Sequence, residues 1–340
     1  MSGGPGASPA GTVTREGDRL SADLAIIGAG PAGLYAAYYA GVRGLSTVII
    51  DALPEPGGQV AALYPEKPIL DVAGFPSITG RELIERCVAQ AAAHRPTYLL
   101  EHRAEDLVAE DGGAFLIRTD RGTDVHARAV VVTGGVGTFR PRPLPGAQEW
   151  VGRGVVHFVR EFEPLRGQRV LIVGGGDSAV DWALALEGIA ATVALAHRRA
   201  TFRAHEDSVA RLMASSVRVI VPAVVERLEG GGAVERAVLR RTDTEEGVTL
   251  EVDTVVAALG FTTDLGPLRS WALETDGRGI VVDSRGRTSV PGVYAAGDIA
   301  EYEGKVRLIS VGFGEAATAV NNAAAWIDPE ARVFPGHSSG

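Results

Sequence analysis

Residues 28–33 read Gly-Ala-Gly-Pro-Ala-Gly, and an aspartate follows at position 51. Glycine at positions 28, 30 and 33 allows, in that order, a tight turn, close approach of a pyrophosphate to the backbone, and close packing of a helix on a strand. A pyrophosphate bound there would lie at a helix N-terminus, which carries about half a positive charge. Asp51, 23 positions after Gly28, can accept hydrogen bonds from ribose hydroxyls. This spacing predicts a dinucleotide-binding loop with Gly28, Gly30, Gly33 and Asp51 as contacts.

A second loop of this kind lies at residues 174–179, with the sequence Gly-Gly-Gly-Asp-Ser-Ala. His197 follows Gly174 by 23 positions and is itself followed by two arginines. An acid at this place would repel a 2′-phosphate, whereas cations attract it, so this loop is expected to prefer NADP over NAD. A solvated basic loop is the alternative, because basic runs usually form solvated surfaces. The candidate NADP contacts are Gly174, Gly176, Asp177, Ser178, His197, Arg198, Arg199 and Arg203.

Both loops lie between a strand and a helix. Residues 24–27 and 170–173 are short continuous apolar runs, as expected of strands buried on both faces. A helical stretch and a second apolar run follow each loop. The sequence therefore predicts an α/β protein with two Rossmann-like, three-layer nucleotide-binding domains.

The strand predicted at 253–261 resembles the one at 129–135, which runs into a proline-rich link at 139–146. We expect the chain to leave its first domain and to return to it at this matched pair, so that the second domain is inserted in the first. Residues 1–20 are rich in Gly, Pro, Ala and Ser and lack the apolar centre of a signal peptide. The expected parts are a disordered tail, 1–20, an FAD-binding domain, 21–138 with 261–340, and an NADP-binding domain, 139–260.

Two further stretches carry groups that suit the first site. Residues 54–59 are predicted to be a loop, in which the backbone amide of Gly58 and the side-chain amide of Gln59 suit a flat, polar-edged heterocycle. The ring of Tyr64 suits it too, although core packing is the usual role of a lone tyrosine. A short apolar strand ends at Asp298 and is expected to place this carboxylate beside the first loop, within reach of a cofactor sugar-alcohol hydroxyl.

Two nucleotide sites of opposite charge predict two different cofactors. An acid suits the unmodified ribose of FAD, and basic residues suit the phosphorylated ribose of NADPH. Hydride transfer between them needs no acid–base residue. Residues 310–327 are predicted to be a helix that begins after Gly312 and Gly314, and its N-terminus is the candidate for stabilising a reduced, anionic flavin.

Composition excludes several other classes. A net charge of -9 argues against nucleic acid as a partner, because phosphate binding needs a basic surface. The single cysteine, Cys87, excludes an internal disulfide and a CxxC pair, and its place on an amphipathic helix predicted at 81–93 indicates a core residue. The sequence contains no apolar run of 18 residues and no metal-ligand spacing, so we expect neither a membrane span nor a metal. A cytoplasmic location fits this pattern.

The chain resembles the low-molecular-weight thioredoxin reductases from about residue 22 onward, but residues 155–160 lack that family's CxxC. It is more similar to the thioredoxin-reductase-like ferredoxin–NADP reductases of bacteria. The strings that carry this resemblance are GGQ with ALYPEKPILDVAGFP, GGGDSAVDWAL with HRR, GKVRLISVGFGEAATAVNNA, and the ending PGHSS.

The resemblance implies further roles. Tyr64 would stack on one flavin face and His337 on the other, with Ser338 or Ser339 touching the flavin. The family is homodimeric, and the C-terminal extension is expected to reach the partner's flavin; ending at Gly340, this chain is expected to lack any further cap. The implied FAD contacts are Gly28, Gly30, Ala32, Gly33, Asp51, Gly58, Gln59, Tyr64, Ala104, Phe139, Asp298 and Ser339.

The predicted function is therefore electron exchange between NADP(H) and ferredoxin or flavodoxin through FAD. One alternative is an NADPH-dependent reductase of small acceptors such as quinones or ferric chelates. Another is a flavin-binding module that senses NADPH for a partner without turnover. Electron transfer to each acceptor and steady-state NADPH turnover discriminate these alternatives.

Overall fold

The computed structural model describes residues 11–110, 112–277, 279–334 and 336. The strands are β1 (Thr14–Glu16), β2 (Arg19–Ile27), β3 (Thr47–Ile50), β4 (Pro68–Ile69), β5 (Ile78–Thr79), β6 (Thr97–Leu99), β7 (Ala104–Ala109), β8 (Phe115–Thr119), β9 (Asp124–Val132), β10 (Thr138–Pro141), β11 (Val155–Val156), β12 (Arg169–Val173), β13 (Thr192–Ala196), β14 (Arg218–Ile220), β15 (Ala223–Glu229), β16 (Arg236–Arg241), β17 (Gly247–Glu251), β18 (Thr254–Ala257), β19 (Phe261–Asp264), β20 (Ile280–Val281), β21 (Val293–Ala295) and β22 (Ala300–Glu301). The α-helices are α1 (Pro31–Val42), α2 (Gly58–Leu63), α3 (Gly80–Ala92), α4 (Asp177–Leu186), α5 (Glu206–Ala214) and α6 (Ile309–Ile327).

The chain divides into two compact units. Unit 1 comprises Met1–Ala62, Pro68–Thr138 and Thr263–Gly340, and unit 2 comprises Leu63–Lys67 and Phe139–Thr262. Strands β10 and β19 pair with each other where the chain passes from one unit to the other. Each unit contains one of the two glycine-rich loops.

Unit 1 is built on a sheet with the order β6-β3-β2-β9-β8-β7. Strands β6, β3, β2 and β9 run parallel, and β21 adds to the C-terminal half of β9 in parallel register, with Val293 opposite Val130. Strands β8 and β7 form an antiparallel extension on the other half of β9. The carboxyl ends of β3, β2, β9 and β21 therefore meet at one edge, which is where parallel α/β sheets bind ligands.

Alternate residues of the central strands pack on opposite faces of this sheet. Leu24 and Ile26 face a cluster built with α1 and α6, whereas Ala25 and Ile27 face a second cluster that includes Phe115. Alanines on both helices allow close packing on the first face; they are Ala36, Ala37, Ala40, Ala316, Ala319 and Ala323. Burial on both faces explains the continuous apolar runs in the sequence.

Unit 2 repeats the arrangement with a smaller parallel sheet of order β11-β18-β12-β13-β14. Leu171 and Val173 face a cluster built with the antiparallel strands β15, β16 and β17, and Val170 and Ile172 face α4 and α5. The two layered units confirm the predicted α/β class with two Rossmann-like domains. Among the described helices, none combines the length and apolar character that crossing a membrane requires.

Three local predictions were wrong. The tail predicted over 1–20 is too long, because residues 14–16 pair with the start of β2 as a hairpin; residues 1–10 lie outside the described residues. The loop predicted at 54–59 ends early, because Gly58 begins helix α2. Helix α6 begins at Ile309, so both of its glycines lie inside the helix instead of before it.

Candidate dinucleotide-binding sites

The first phosphate loop connects β2 to α1. Gly28 has a φ of +111°, and a Cβ there would lie 2.6 Å from the carbonyl oxygen of Thr133. A Cβ on Gly33 would overlap with the carbonyl oxygen of Gly28, so helix and turn touch through their backbones. Gly30 is the N-cap of α1, and a Cβ built on it would have no neighbouring atom within 4 Å. The loop therefore leaves room for a pyrophosphate at its second glycine.

Asp51 follows β3 and is anchored by the loop itself. One carboxylate oxygen accepts a hydrogen bond from the backbone N–H of Ala29 at 2.6 Å, and the other accepts from Leu53 at 2.8 Å. Burial raises the pKa of Asp51, and the two backbone donors oppose this rise. Each carboxylate oxygen has a second lone pair that can accept a ribose hydroxyl.

Helix α2 contributes the two polar groups expected near the heterocycle. A Cβ on Gly58 would lie 3.0 Å from Cα of Gly30, so α2 begins directly behind the phosphate loop. The side-chain amide of Gln59 lies against Gly135, at the carboxyl end of β9. Both residues therefore join the edge at which the parallel strands end.

Asp298 lies just after β21, in a helical turn formed by Gly297–Ile299. A Cβ on Gly297 would lie 3.0 Å from Cβ of Ala32, so this turn touches the start of α1. Burial raises the pKa of Asp298, whereas the charges of Lys305 and Arg307 lower it. The structure gives this carboxylate no hydrogen bond from a described residue.

The remaining predicted FAD contacts lie on several other elements, and some of them are outside the described residues. Ala104 opens β7, two residues after His102, whose N–H donates to the carbonyl oxygen of Asp51 at 2.9 Å. Tyr64 belongs to the segment of unit 2 that precedes β4, and its ring centroid lies 5.8 Å from Nζ of Lys67. Phe139 lies on β10 and its side chain is outside the described part. His337, Ser338 and Ser339 lie outside the described residues.

The second phosphate loop connects β12 to α4. A Cβ on Gly174 would overlap with the carbonyl oxygen of Ala258, and Gly176, the N-cap of α4, faces open space within 4 Å. Asp177 and Ser178 form the exposed first turn of α4. Asp177 also accepts a hydrogen bond from the N–H of His205 at 2.9 Å, which ties the following basic segment to the helix start.

His197 differs from the cation that its position predicted. Its side chain is buried, stacks on Phe202 with ring centroids 5.7 Å apart, and covers Gly175, where a Cβ would lie 2.5 Å from the ring. Burial lowers the pKa of His197, and Arg198, Arg199 and Arg203 lower it further. The imidazole is therefore a packing group whose protonation its surroundings disfavour, and exposed positive charge in this segment is carried by the arginines.

Arg198, Arg199 and Arg203 are exposed, and no described carboxylate forms an ion pair with any of the three. The backbone N–H of Arg203 donates to the carbonyl oxygen of Gly175 at 2.8 Å, which brings the basic segment back to the phosphate loop. By contrast, Arg169 and Arg241 in the same unit pair with aspartates at 2.6 and 2.9 Å. Three uncompensated guanidinium groups beside a helix N-terminus suit a phosphate.

Sequence reasoning missed two ionisable residues beside Asp298. Lys305 and Glu315 form an ion pair in unit 1, with side chains 2% and 15% exposed. Glu315 is the one charged residue within the otherwise apolar or neutral sequence of α6, and this isolation was the signal that could have marked it.

Comparison with known proteins identifies the family of this chain. Residues 22–323 match the pyridine nucleotide-disulphide oxidoreductase family. The ferredoxin–NADP reductase of Salinispora tropica is 60% identical over 318 residues, covering 93% of this chain and 98% of its own. The enzyme of that name from Nocardioides sp. is 55% identical, covering 94% and 97%. The solved thioredoxin reductase of T. acidophilum is 28% identical with a TM-score of 0.78, covering 92% of this chain and 99% of its own.

The chain belongs to the pyridine nucleotide-disulphide oxidoreductase family. Within that class it belongs to the ferredoxin–NADP reductases of the thioredoxin-reductase-like type. Membership confirms the predicted resemblance and the predicted cofactors, FAD and NADP(H). The single cysteine, Cys87, is buried on α3, and burial raises the pKa of its thiol to about 11, so this chain offers no reactive dithiol.

Proposed function

We propose that this protein exchanges electrons between NADP(H) and ferredoxin or flavodoxin through bound FAD. The observation that carries the proposal is the contrast between two like-built loops, one ending in a carboxylate and the other in uncompensated arginines. Relatives that are 55–60% identical over almost the whole chain are named ferredoxin–NADP reductase. When bound, FAD supplies a ring that takes two electrons from a nicotinamide and passes them on singly.

Unit 1 is proposed to hold FAD. The backbone around Gly30 receives the pyrophosphate at the start of α1, and Asp51 accepts hydrogen bonds from the ribose. Asp298 accepts hydrogen bonds from the sugar alcohol, which agrees with its lack of a hydrogen bond from described residues. Gln59 is proposed to orient the heterocycle through its amide.

Unit 2 is proposed to hold NADP(H). The start of α4 at Gly176 and Asp177 receives the pyrophosphate. Arg198, Arg199 and Arg203 bind the 2′-phosphate, because a charge-assisted hydrogen bond to phosphate is roughly twice as strong as a neutral one. His197 supports this site by packing over the loop.

Several finer points belong to the same proposal. Tyr64 and His337 are proposed to stack on the two flavin faces, and Ser339 and Phe139 to touch the cofactor. A homodimer in the cytoplasm is proposed from the family resemblance. Size-exclusion chromatography with light scattering tests the dimer, and truncation before His337 tests the C-terminal stacking.

Rapid-mixing kinetics test the function directly. The purified protein should show a flavin absorbance band that NADPH bleaches faster than NADH does. Reduced enzyme mixed with oxidised ferredoxin should then regain its flavin absorbance within the turnover time. Reoxidation by a quinone or a ferric chelate that is much faster than by ferredoxin or flavodoxin would favour the small-acceptor alternative, which the named relatives do not support.

A further inference from the structure

Lys305 and Glu315 form a buried ion pair beside the first phosphate loop. The ammonium nitrogen of Lys305 lies 2.5 and 2.6 Å from the two carboxylate oxygens of Glu315. Removing two charges from water costs several kcal/mol per ion, and an apolar pair of equal volume is often at least as stable. A pair with so little exposure therefore calls for a role besides stability.

Both partners hold the backbone of Gly297. The N–H of Gly297 donates to Glu315 at 2.8 Å, and Lys305 donates to the carbonyl oxygen of Gly297 at 3.0 Å. Gly297 has a φ of +76° and touches Ala32 at the start of α1. The ion pair therefore fixes the chain at the residue that precedes Asp298 and touches the phosphate loop.

The hydrogen-bonding capacity of the pair is largely used. The three ammonium donors of Lys305 have three acceptors, two on Glu315 and one on Gly297. The hydroxyl of Tyr302 donates to Glu315 at 2.6 Å, and this bond, together with burial and the nearby carboxylates, raises the pKa of Tyr302 to about 12. Lys305 therefore acts on Asp298 through charge alone and leaves that carboxylate without a competing hydrogen bond.

The choice of lysine here is unusual for this chain. Of 33 basic residues, two are lysines, Lys67 and Lys305, and the other 31 are arginines. A compact ammonium can direct three donors into a small buried space, which the larger planar guanidinium cannot do.

We propose that the Lys305–Glu315 pair is a positioning unit for FAD: it fixes the Gly297 turn and keeps the Asp298 carboxylate free for the cofactor's sugar-alcohol hydroxyls. This inference rests on the proposed binding of FAD in unit 1. Loss of Glu315 would release Lys305 to pair with Asp298. The Asp298 carboxylate would then no longer be free to accept hydrogen bonds from the cofactor. Loss of Lys305 would leave Glu315 repelling Asp298.

The test is a double-mutant cycle on FAD affinity. Apoprotein of the full chain is prepared by removing FAD, and its dissociation constant for FAD is measured by quenching of flavin fluorescence. Glu315→Gln should weaken FAD binding about tenfold in the wild-type background and less than about twofold in an Asp298→Ala background, because contacting groups couple strongly. Equal weakening in both backgrounds, or no weakening by Asp298→Ala alone, overturns the proposal.

Two further variants guard against a general loss of folding. Tyr302→Phe removes one hydrogen bond to Glu315 and should weaken FAD binding about threefold, again only when Asp298 is present. Glu110→Gln is the matched control, because Glu110 accepts a hydrogen bond from His126 at 2.8 Å in unit 1 and lies on the strand β7 side of the sheet. The control should leave FAD affinity unchanged. A tenfold loss of affinity in Glu110→Gln would show that removing any carboxylate from unit 1 weakens FAD binding, and this result would overturn the proposal.

Ferredoxin reduction by the wild-type enzyme separates this inference from the proposed function. Coupling between Glu315 and Asp298 in FAD affinity, together with no electron transfer to ferredoxin, would uphold the positioning role and reject the proposed acceptor. Electron transfer to ferredoxin without coupling between Glu315 and Asp298 would uphold the proposed acceptor and reject the positioning role.

Discussion

The phosphate loops at residues 28–33 and 174–179 have the same place between a strand and a helix, and they differ in the residue that follows the second strand of each unit. The N–H of Gly28 donates to Ile50 at 2.8 Å, and the N–H of Gly174 donates to Ala196 at 2.9 Å, so each loop is tied to the end of its second strand in the same way. The next residue then diverges. Asp51 accepts a hydrogen bond from its loop, whereas His197 packs its ring on its loop.

This difference teaches how one scaffold selects two nucleotides. The carboxylate of Asp51 stays at the loop and is available to ribose hydroxyls. The imidazole of His197 packs on its loop instead, and the exposed charges next along the chain are those of Arg198 and Arg199. The proposed site for the extra phosphate is therefore at exposed residues, where a doubly charged group need not be buried.

The largest effect is expected at the last residue of the phosphate loop, which is Gly33 in the first loop and Ala179 in the second. Gly33→Ala places a methyl group against the carbonyl of Gly28 and should lower the free energy of unfolding by about 3 kcal/mol, with loss of bound FAD. Thermal denaturation and the ratio of flavin to protein absorbance measure both effects. Ala179→Gly is the control at the equivalent position and should cost about 1 kcal/mol; a harmless Gly33→Ala would refute the backbone contact.

The next effect concerns the arginines of the second loop. Replacing Arg198 and Arg199 with alanine should raise KM for NADPH about a hundredfold and KM for NADH less than about threefold, because each charge-assisted hydrogen bond contributes about 1.5–3 kcal/mol. Steady-state kinetics with a dye acceptor measure the two constants. Arg236→Ala, at an arginine already paired with Glu229, is the matched control and should change neither. An equal rise for both nucleotides would reject the 2′-phosphate role.

A smaller effect is expected at the carboxylate of the first loop. Asp51→Asn keeps one acceptor oxygen and loses the charge, so FAD binding should weaken about tenfold while KM for NADPH stays the same. Fluorescence titration of the apoprotein measures the affinity. A higher KM for NADPH with unchanged FAD affinity would indicate that the first loop binds NADPH, which contradicts the proposal.

The smallest effect is a pH dependence at His197. Its pKa is lowered in the folded protein, so the unfolded chain binds a proton that the folded ring resists. Stability from this residue is therefore present above the ordinary histidine pKa of about 6.5 and is lost as the pH falls through it. His197→Gln should flatten part of the acid-side decline in melting temperature between pH 7.5 and 5.5. An unchanged pH profile would indicate that the folded ring titrates normally.

Local sequence determined both nucleotide loops. Each motif is a run of neighbours whose glycines are needed where the backbone turns or is approached, so spacing alone identified Gly28, Gly33 and Gly174. The contrast in charge between the strand ends was equally visible, because Asp51 and His197 occupy the same step of 23 residues. Two apolar runs per loop were enough to predict the α/β class, since strands buried on both faces have no polar alternation.

Only the tertiary structure decided which charged groups are buried and what they hold. The sequence places His197 with two cations, whereas in the fold burial against Phe202 and the loop lowers its pKa. Lys305 and Glu315 lie ten positions apart, and their shared contacts with the backbone of Gly297 exist only in the folded chain, where Gly297 lies at the start of α1. Burial and long-range contact set these roles, and neither is encoded in the spacing of nearby residues.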